Sequence, residues 1–126
     1  MPARVVDASA LAALIHAEPG AADVAASLTD ATLIAPTLLP HELDSVCARK
    51  IRANPRDRGR LLDARALADE LGIALLEVDH RGVIELALET GLTAYDATYL
   101  WLAVAHGAEL VTLDARLARV APLTRT

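Results

Sequence analysis

The chain of 126 residues has no phenylalanine, and its aromatic side chains are Tyr95, Tyr99 and Trp101. A core must therefore be built from small and branched aliphatic side chains, 27 Ala and 22 Leu foremost, rather than from rings. At 54% hydrophobic residues the material is ample, which excludes a disordered chain, and the length is that of one domain. Cysteine is nearly absent. A lone Cys47 cannot close an internal disulfide, and with four scattered histidines it offers no zinc-binding spacing, so a reducing, cytoplasmic setting is expected. No run reaches the roughly 20 apolar residues that a membrane helix needs. The longest uncharged stretch, Ala97 to Ala108, reads as a buried helix, and Asp7 arrives before a secretory signal can develop.

Lysine is scarce too, Lys50 being the single example. With 12 basic against 17 acidic residues the net charge is −5, which argues against a protein that coats nucleic acid through bulk electrostatics. The average hides a division. Residues 49–65 carry Arg49, Lys50, Arg52, Arg56, Arg58, Arg60 and Arg65 against Asp57 and Asp63, or +5, leaving −10 elsewhere. Such a run is either a solvated helical face or a surface for a polyanion.

Short apolar strand candidates, Arg4–Val6, Thr32–Ala35, Ala74–Val78 and Glu109–Leu113, alternate with helical patterns, and Leu123 marks a possible short fifth. Helices are expected from Ser9 to Ala17, from Ala21 to Leu28, and after Pro40 with Leu43, Val46, Cys47 and Lys50 along one side. Asn54-Pro55-Arg56-Asp57 reads as an N-cap, a first-turn proline and a first-turn acid, so a further helix should run to Leu71 and complete a basic hairpin. Val83, Ile84, Ala87 and Leu88 predict a helix ending at Gly91, and Thr93 opens another that ends at Gly107. Alternating strands and helices imply an α/β domain around a mostly parallel sheet.

Loops that follow parallel strands converge on one sheet edge, where ligands bind in such folds. Asp7, Glu42, Asp96 and Asp114 all fall there. Each has an ordinary structural explanation: Asp7 and Asp114 suit N-caps, Glu42 suits a first turn, and Thr93-Ala94-Tyr95-Asp96 has the spacing of a capping box. Asp79 also ends a strand and reads as a cap alone. Taken jointly, four acids at one edge repel by several kcal/mol per close pair, about 4 kcal/mol at roughly 4 Å, and call for a cation. Oxygen-only ligands select Mg²⁺ or Mn²⁺, whose bound water is a nucleophile for phosphodiester hydrolysis. Other phosphate chemistries fail on residues. The six glycines form neither a P-loop nor a dinucleotide fingerprint, Ser9 stands where a phosphoaspartate hydrolase needs a second Asp, and no lysine follows a late strand. A nucleophile elbow is missing as well.

Val5-Val6-Asp7-Ala8-Ser9-Ala10-Leu11, Gly91-Leu92-Thr93-Ala94-Tyr95-Asp96-Ala97-Thr98-Tyr99-Leu100 and Leu110-Val111-Thr112-Leu113-Asp114-Ala115-Arg116-Leu117-Ala118 together resemble the PIN-domain ribonucleases, and within them the VapC toxins of prokaryotic toxin-antitoxin pairs. The resemblance spans essentially the whole chain and implies one PIN domain over residues 1–126, with a five-stranded parallel sheet flanked by helices. It implies that Asp7, Glu42, Asp96 and Asp114 are the catalytic, metal-binding acids for Mg²⁺ or Mn²⁺, and that the Ser9 and Thr112 hydroxyls orient ligands or water. It further implies endonucleolytic cleavage of structured RNA such as tRNA or rRNA, neutralisation by a VapB antitoxin, and a homodimer. Pro40-His41-Glu42 departs most from the pattern, and Leu117 stands where many relatives carry Phe. His41 is not assigned as a base, because neighbours on a helix point about 100° apart. Arg49, Arg52, Arg56 and Arg60 then become candidates for contacting RNA or the antitoxin. Tyr95 is a candidate near the site, whereas Tyr99 and Trp101 suit the core or a dimer face. A non-toxin RNA-processing nuclease and a catalytically silent PIN-like binding module remain as alternatives.

Overall fold

The computed structural model describes residues 1–124. Four strands, β1 (Ala3–Val6), β2 (Thr32–Pro36), β3 (Ala74–Leu76) and β4 (Glu109–Val111), form one parallel sheet in the order β3-β2-β1-β4. Val5 lies opposite Ile34 on one side and Leu110 on the other, and Val5 and Val6 are fully buried. The chain proceeds outward from β1 through β2 to β3, then returns to the other side of β1 to lay down β4. That reversal leaves a crevice at the carboxyl ends of β1 and β4, the place where doubly wound sheets bind ligands.

Right-handed crossovers put α1 (Ala8–Ile15), α2 (Ala21–Leu28), α3 (Leu39–Ala53) and α4 (Arg58–Leu67) on one face, where α1 packs on α2, α3 and α4. The opposite face carries α5 (His80–Thr90), α6 (Ala94–His106) and α7 (Ala115–Thr124), with α6 against β1, β2 and β4. Thr93 caps α6 by accepting from the Asp96 amide at 3.1 Å, and Gly107 ends it in the left-handed conformation at φ 58°. Between them Ala97, Tyr99, Leu100, Leu102 and Ala103 are buried, the alanines letting the helix backbone approach the sheet closely. Truncating Leu100 or Leu102 to Ala would cost about 2–5 kcal/mol.

The architecture is the expected α/β fold, with differences that have local causes. Among the described residues the sheet has four strands rather than five: Leu123 lies within α7, whose Leu117 and Ala121 are buried one turn apart and carry the helical period onward. β3 ends at Leu76 and β4 at Val111, two residues short of each expectation. Asn54 provides no side-chain cap; residues Pro55–Asp57 form a 3₁₀ turn, α4 starts at Arg58, and a second 3₁₀ turn, Ala68–Glu70, replaces its expected last turn. On α5 the core side is Val83 with Leu86 and Ala87, while Ile84 and Leu88 are exposed.

Candidate active site

Asp7 follows the last residue of the central strand β1, and its own amide extends the ladder by donating to the Val111 carbonyl at 3.1 Å. It is the N-cap of α1, yet it is 4% exposed, the one charged or polar residue buried among those described. Its Oδ1 accepts from the Ala10 amide at 2.9 Å and from Ser9 Oγ at 2.7 Å, and its Oδ2 accepts from Thr112 Oγ1 at 2.5 Å. The two hydroxyls are themselves tied to the loop after β4, the Leu113 amide donating to Ser9 Oγ and the Asp114 amide to Thr112 Oγ1, each at 3.0 Å. Asp114 in turn accepts from the Leu117 amide at 3.0 Å at the start of α7. The ends of β1 and β4 are thus cross-linked through the buried carboxylate.

Glu42 enters from the first turn of α3, half-buried, and its Oε1 accepts from the Tyr99 hydroxyl at 2.5 Å. Asp96 enters from the first turn of α6. Burial above all pushes the Asp7 carboxyl above its ordinary value, with the charge of Asp114 adding to the effect, while hydrogen bonds from Thr112, Ala10 and Ser9 oppose it. Glu42 is raised by burial, then by the charges of Asp96 and Asp7, against the Tyr99 hydrogen bond. Asp96 is raised by burial and by Asp114, against Thr93 and Arg116. Burial and the neighbouring Glu42 push the Tyr99 phenol far up, so it stays a protonated donor. The four carboxylates act on one another through charge as well: Asp114 on Asp7 and on Asp96, and Asp96 and Asp7 on Glu42.

No group of three or more His, Cys, Asp or Glu side chains among the described residues is spaced to grip a metal ion directly. The donor set nonetheless fits a hard divalent cation in chemistry and charge. Mg²⁺ keeps several of its waters and takes one or two carboxylates plus substrate phosphate, which suits acids that share a field without sharing a coordination sphere. Three of the four hold raised proton affinities, from burial first and from one another's charge second, and a cation would relieve the second part.

The basic residues divide. A cleft of about 460 Å³ opens between α1 and α3, where Ser9 and Glu42 share the lining with Arg49 and Lys50. Lys50 is paired with Glu18 there, and Arg49 is exposed. Arg52, Arg56 and Arg60 lie farther along the hairpin, exposed, with Arg60 on Asp57 at 3.1 Å. Arg65 is committed to structure, bridging Asp44 and Asp69 at 2.8 and 3.1 Å. Asp79, the strand-end acid read as a cap, accepts from the Gly82 amide at 3.0 Å and follows the edge strand β3. Tyr99 is the residue that sequence reasoning left in the core. Its ring does pack there, but its hydroxyl reaches Glu42, and the signal available was its place three residues after Asp96, on the same helix face.

A family model described as PIN domain matches residues 4–123. Among solved structures the chain is similar to PAE2754 from Pyrobaculum aerophilum, with 27% sequence identity and a TM-score of 0.77, covering 94% of this chain and 85% of that one. The search of curated proteins finds no match.

Proposed function

Since this chain belongs to the PIN-domain family, whose members are generally metal-dependent nucleases acting on RNA, we propose that it is an endoribonuclease in which Asp7, Glu42, Asp96 and Asp114 hold Mg²⁺ or Mn²⁺. The observation that carries the reading is buried Asp7 at the end of β1, bonded through Thr112 to the loop that bears Asp114, with Asp96 and Glu42 in the first turns of α6 and α3. A bound divalent ion supplies the positive charge and the activated water that phosphodiester hydrolysis requires. The chain's own side chains position the rest. Ser9 from α1 and Thr112 from the loop after β4 hold the two oxygens of Asp7, Tyr99 fixes Glu42, and Arg49 places a cation in the cleft beside Glu42 to receive a phosphate. Arg52, Arg56 and Arg60 extend that positive surface and draw the RNA backbone toward an otherwise acidic mouth. Attack by water leaves a 5′-phosphate and a 3′-hydroxyl. Products that a ligase requiring 5′-phosphate joins support this chemistry; products ending in 2′,3′-cyclic phosphate refute it.

Within the family the reading is of a VapC-like toxin: one PIN domain of residues 1–126, acting in the cytoplasm as a homodimer on structured RNA such as tRNA or rRNA and silenced by a VapB-type antitoxin. The three sequence segments around Asp7, Asp96 and Asp114 support it, occurring in order across the chain. A small antitoxin gene beside this one, whose co-expression restores growth, is the expected result; an isolated gene with harmless expression would favour RNA processing instead. The wide spacing of the acids favours one competing reading, a metal-silent PIN module. Mn²⁺ at 100 times its Kd should stabilise a true site by about 2.7 kcal/mol, and a silent module by nothing.

A further inference from the structure

A second cleft, about 430 Å³, is lined from the end of β2 and the starts of α3, α5 and α6 and has no part in the reading above. Buried Val83 lines it together with Ile84 and Tyr95, which are 56% and 64% exposed, so an aliphatic and an aromatic side chain are held open to water. His41 and His80 line it as well. Neither imidazole, nor the Tyr95 hydroxyl, has a hydrogen-bond or ion-pair partner among the described residues. The cleft is tied to the candidate site through the chain: His41 immediately precedes Glu42 on α3, and Tyr95 immediately precedes Asp96 on α6.

We propose that this cleft receives the base of an unpaired nucleotide adjoining the bond that is cut, stacked on the Tyr95 ring with its edge toward His41 and His80. The inference rests on the nuclease reading and adds a site of sequence selection to it. Because Tyr95 and His41 stand next in the chain to Asp96 and Glu42, an RNA whose phosphate sits at the four acids carries a neighbouring nucleotide beside this cleft. The size is that of a small-molecule pocket and admits a single base rather than a duplex. RNA sequence is read from bases splayed out of the helix, by stacking on aromatic faces and hydrogen bonding along their edges. The lining offers both. An apolar side chain from a protein partner would satisfy Ile84 and Tyr95 but leave two imidazoles without partners.

The probe is a set of short single-stranded RNAs, each with one 2-aminopurine at a different position, bound to the whole protein in EDTA so that nothing is cut. Quenching of the fluorescent base at one position is expected. Tyr95→Phe should retain it, while Tyr95→Ala should abolish it and weaken binding about tenfold, the usual effect of removing one stacking platform. Ile84→Ala, on α5, should weaken binding in the same direction and guards against a local folding defect at α6. Wild-type protein that cleaves RNA with Mn²⁺ but quenches no position overturns the base site and leaves the nuclease reading intact; protein that does neither overturns both. A Tyr95→Ala or Ile84→Ala variant that changes the oligomeric state while RNA binding stays as in the wild type assigns the cleft to a protein interface and overturns the proposal.

Discussion

Replacing Thr112 with valine removes one hydroxyl from the centre of the site with almost no change in shape. The lost Oγ1 donates to Asp7 Oδ2 at 2.5 Å and accepts from the Asp114 amide at 3.0 Å. A hydrogen bond to a charged group contributes about 1.5–3 kcal/mol, and Asp7 is too buried for water to replace the donor, so Thr112→Val should cost about 2 kcal/mol at pH 7. For a chain of this length that lowers Tm by roughly 8 °C. The loss should depend on pH. Thr112 is the strongest influence holding the Asp7 carboxyl down, so its removal raises the folded-state value further above the unfolded one near 3.8. The penalty is then complete above the variant's folded pKa and shrinks as the pH falls through it, because a protonated Asp7 has less need of the donor. Thermal melts of both proteins in EDTA across pH 4–7 measure this. A loss under about 0.5 kcal/mol at pH 7, or one that grows on acidification, would refute the assignment of Thr112 as the partner of an ionised Asp7.

Raised carboxyls on Asp7, Glu42 and Asp96 make the metal-free protein gain stability as pH falls from neutrality through their folded values, opposite to the usual behaviour of paired acids, and Mn²⁺ should flatten the profile; a Tm that falls steadily from pH 7 to 5 in EDTA contradicts it. Asp79→Ala should cost about 1 kcal/mol through the lost cap while leaving the Mn²⁺-induced rise in Tm unchanged, and a diminished rise would place Asp79 in the site. Gly82→Ala drives its new methyl into the Trp101 indole nitrogen, so it should destabilise by about 1–3 kcal/mol and shift the Trp101 fluorescence, both absent if α5 can slide. Arg56→Glu with Arg60→Glu should weaken RNA binding and reduce its salt slope by about 2; an unaltered slope removes the hairpin from the RNA path.

Legibility in the sequence followed the strength of local signals. α6 was readable because Thr93 and Gly107 bracket an apolar run, and both caps form as expected. β3 was overextended because an edge strand with Ala74 and Leu75 exposed carries little alternation to mark its end. The exposed Ile84 and Leu88 fit a helical stripe equally well on paper, and only packing on α6 selects Val83, Leu86 and Ala87. The same limit governs the acids. Asp7 and Asp79 each follow an apolar strand pattern and each accept from an amide three residues on, so their local patterns match. What separates them is strand order: β1 is interior, which buries Asp7 and brings the β4 loop with Thr112 and Asp114 onto it, whereas β3 lies at an edge. Pairing between distant segments leaves no local trace, and Tyr99, 57 residues from Glu42, was missed as its partner for that reason.

The central claim, that the four acids form a metal-dependent site for cutting RNA, is tested most directly by incubating the purified protein with a total small-RNA pool in Mn²⁺ and in EDTA, beside the Asp96→Asn variant. Discrete products that require Mn²⁺ and vanish in a folded Asp96→Asn protein are predicted. Products that persist in EDTA or in the variant, or a wild type that neither cuts nor gains thermal stability with Mn²⁺, would contradict it.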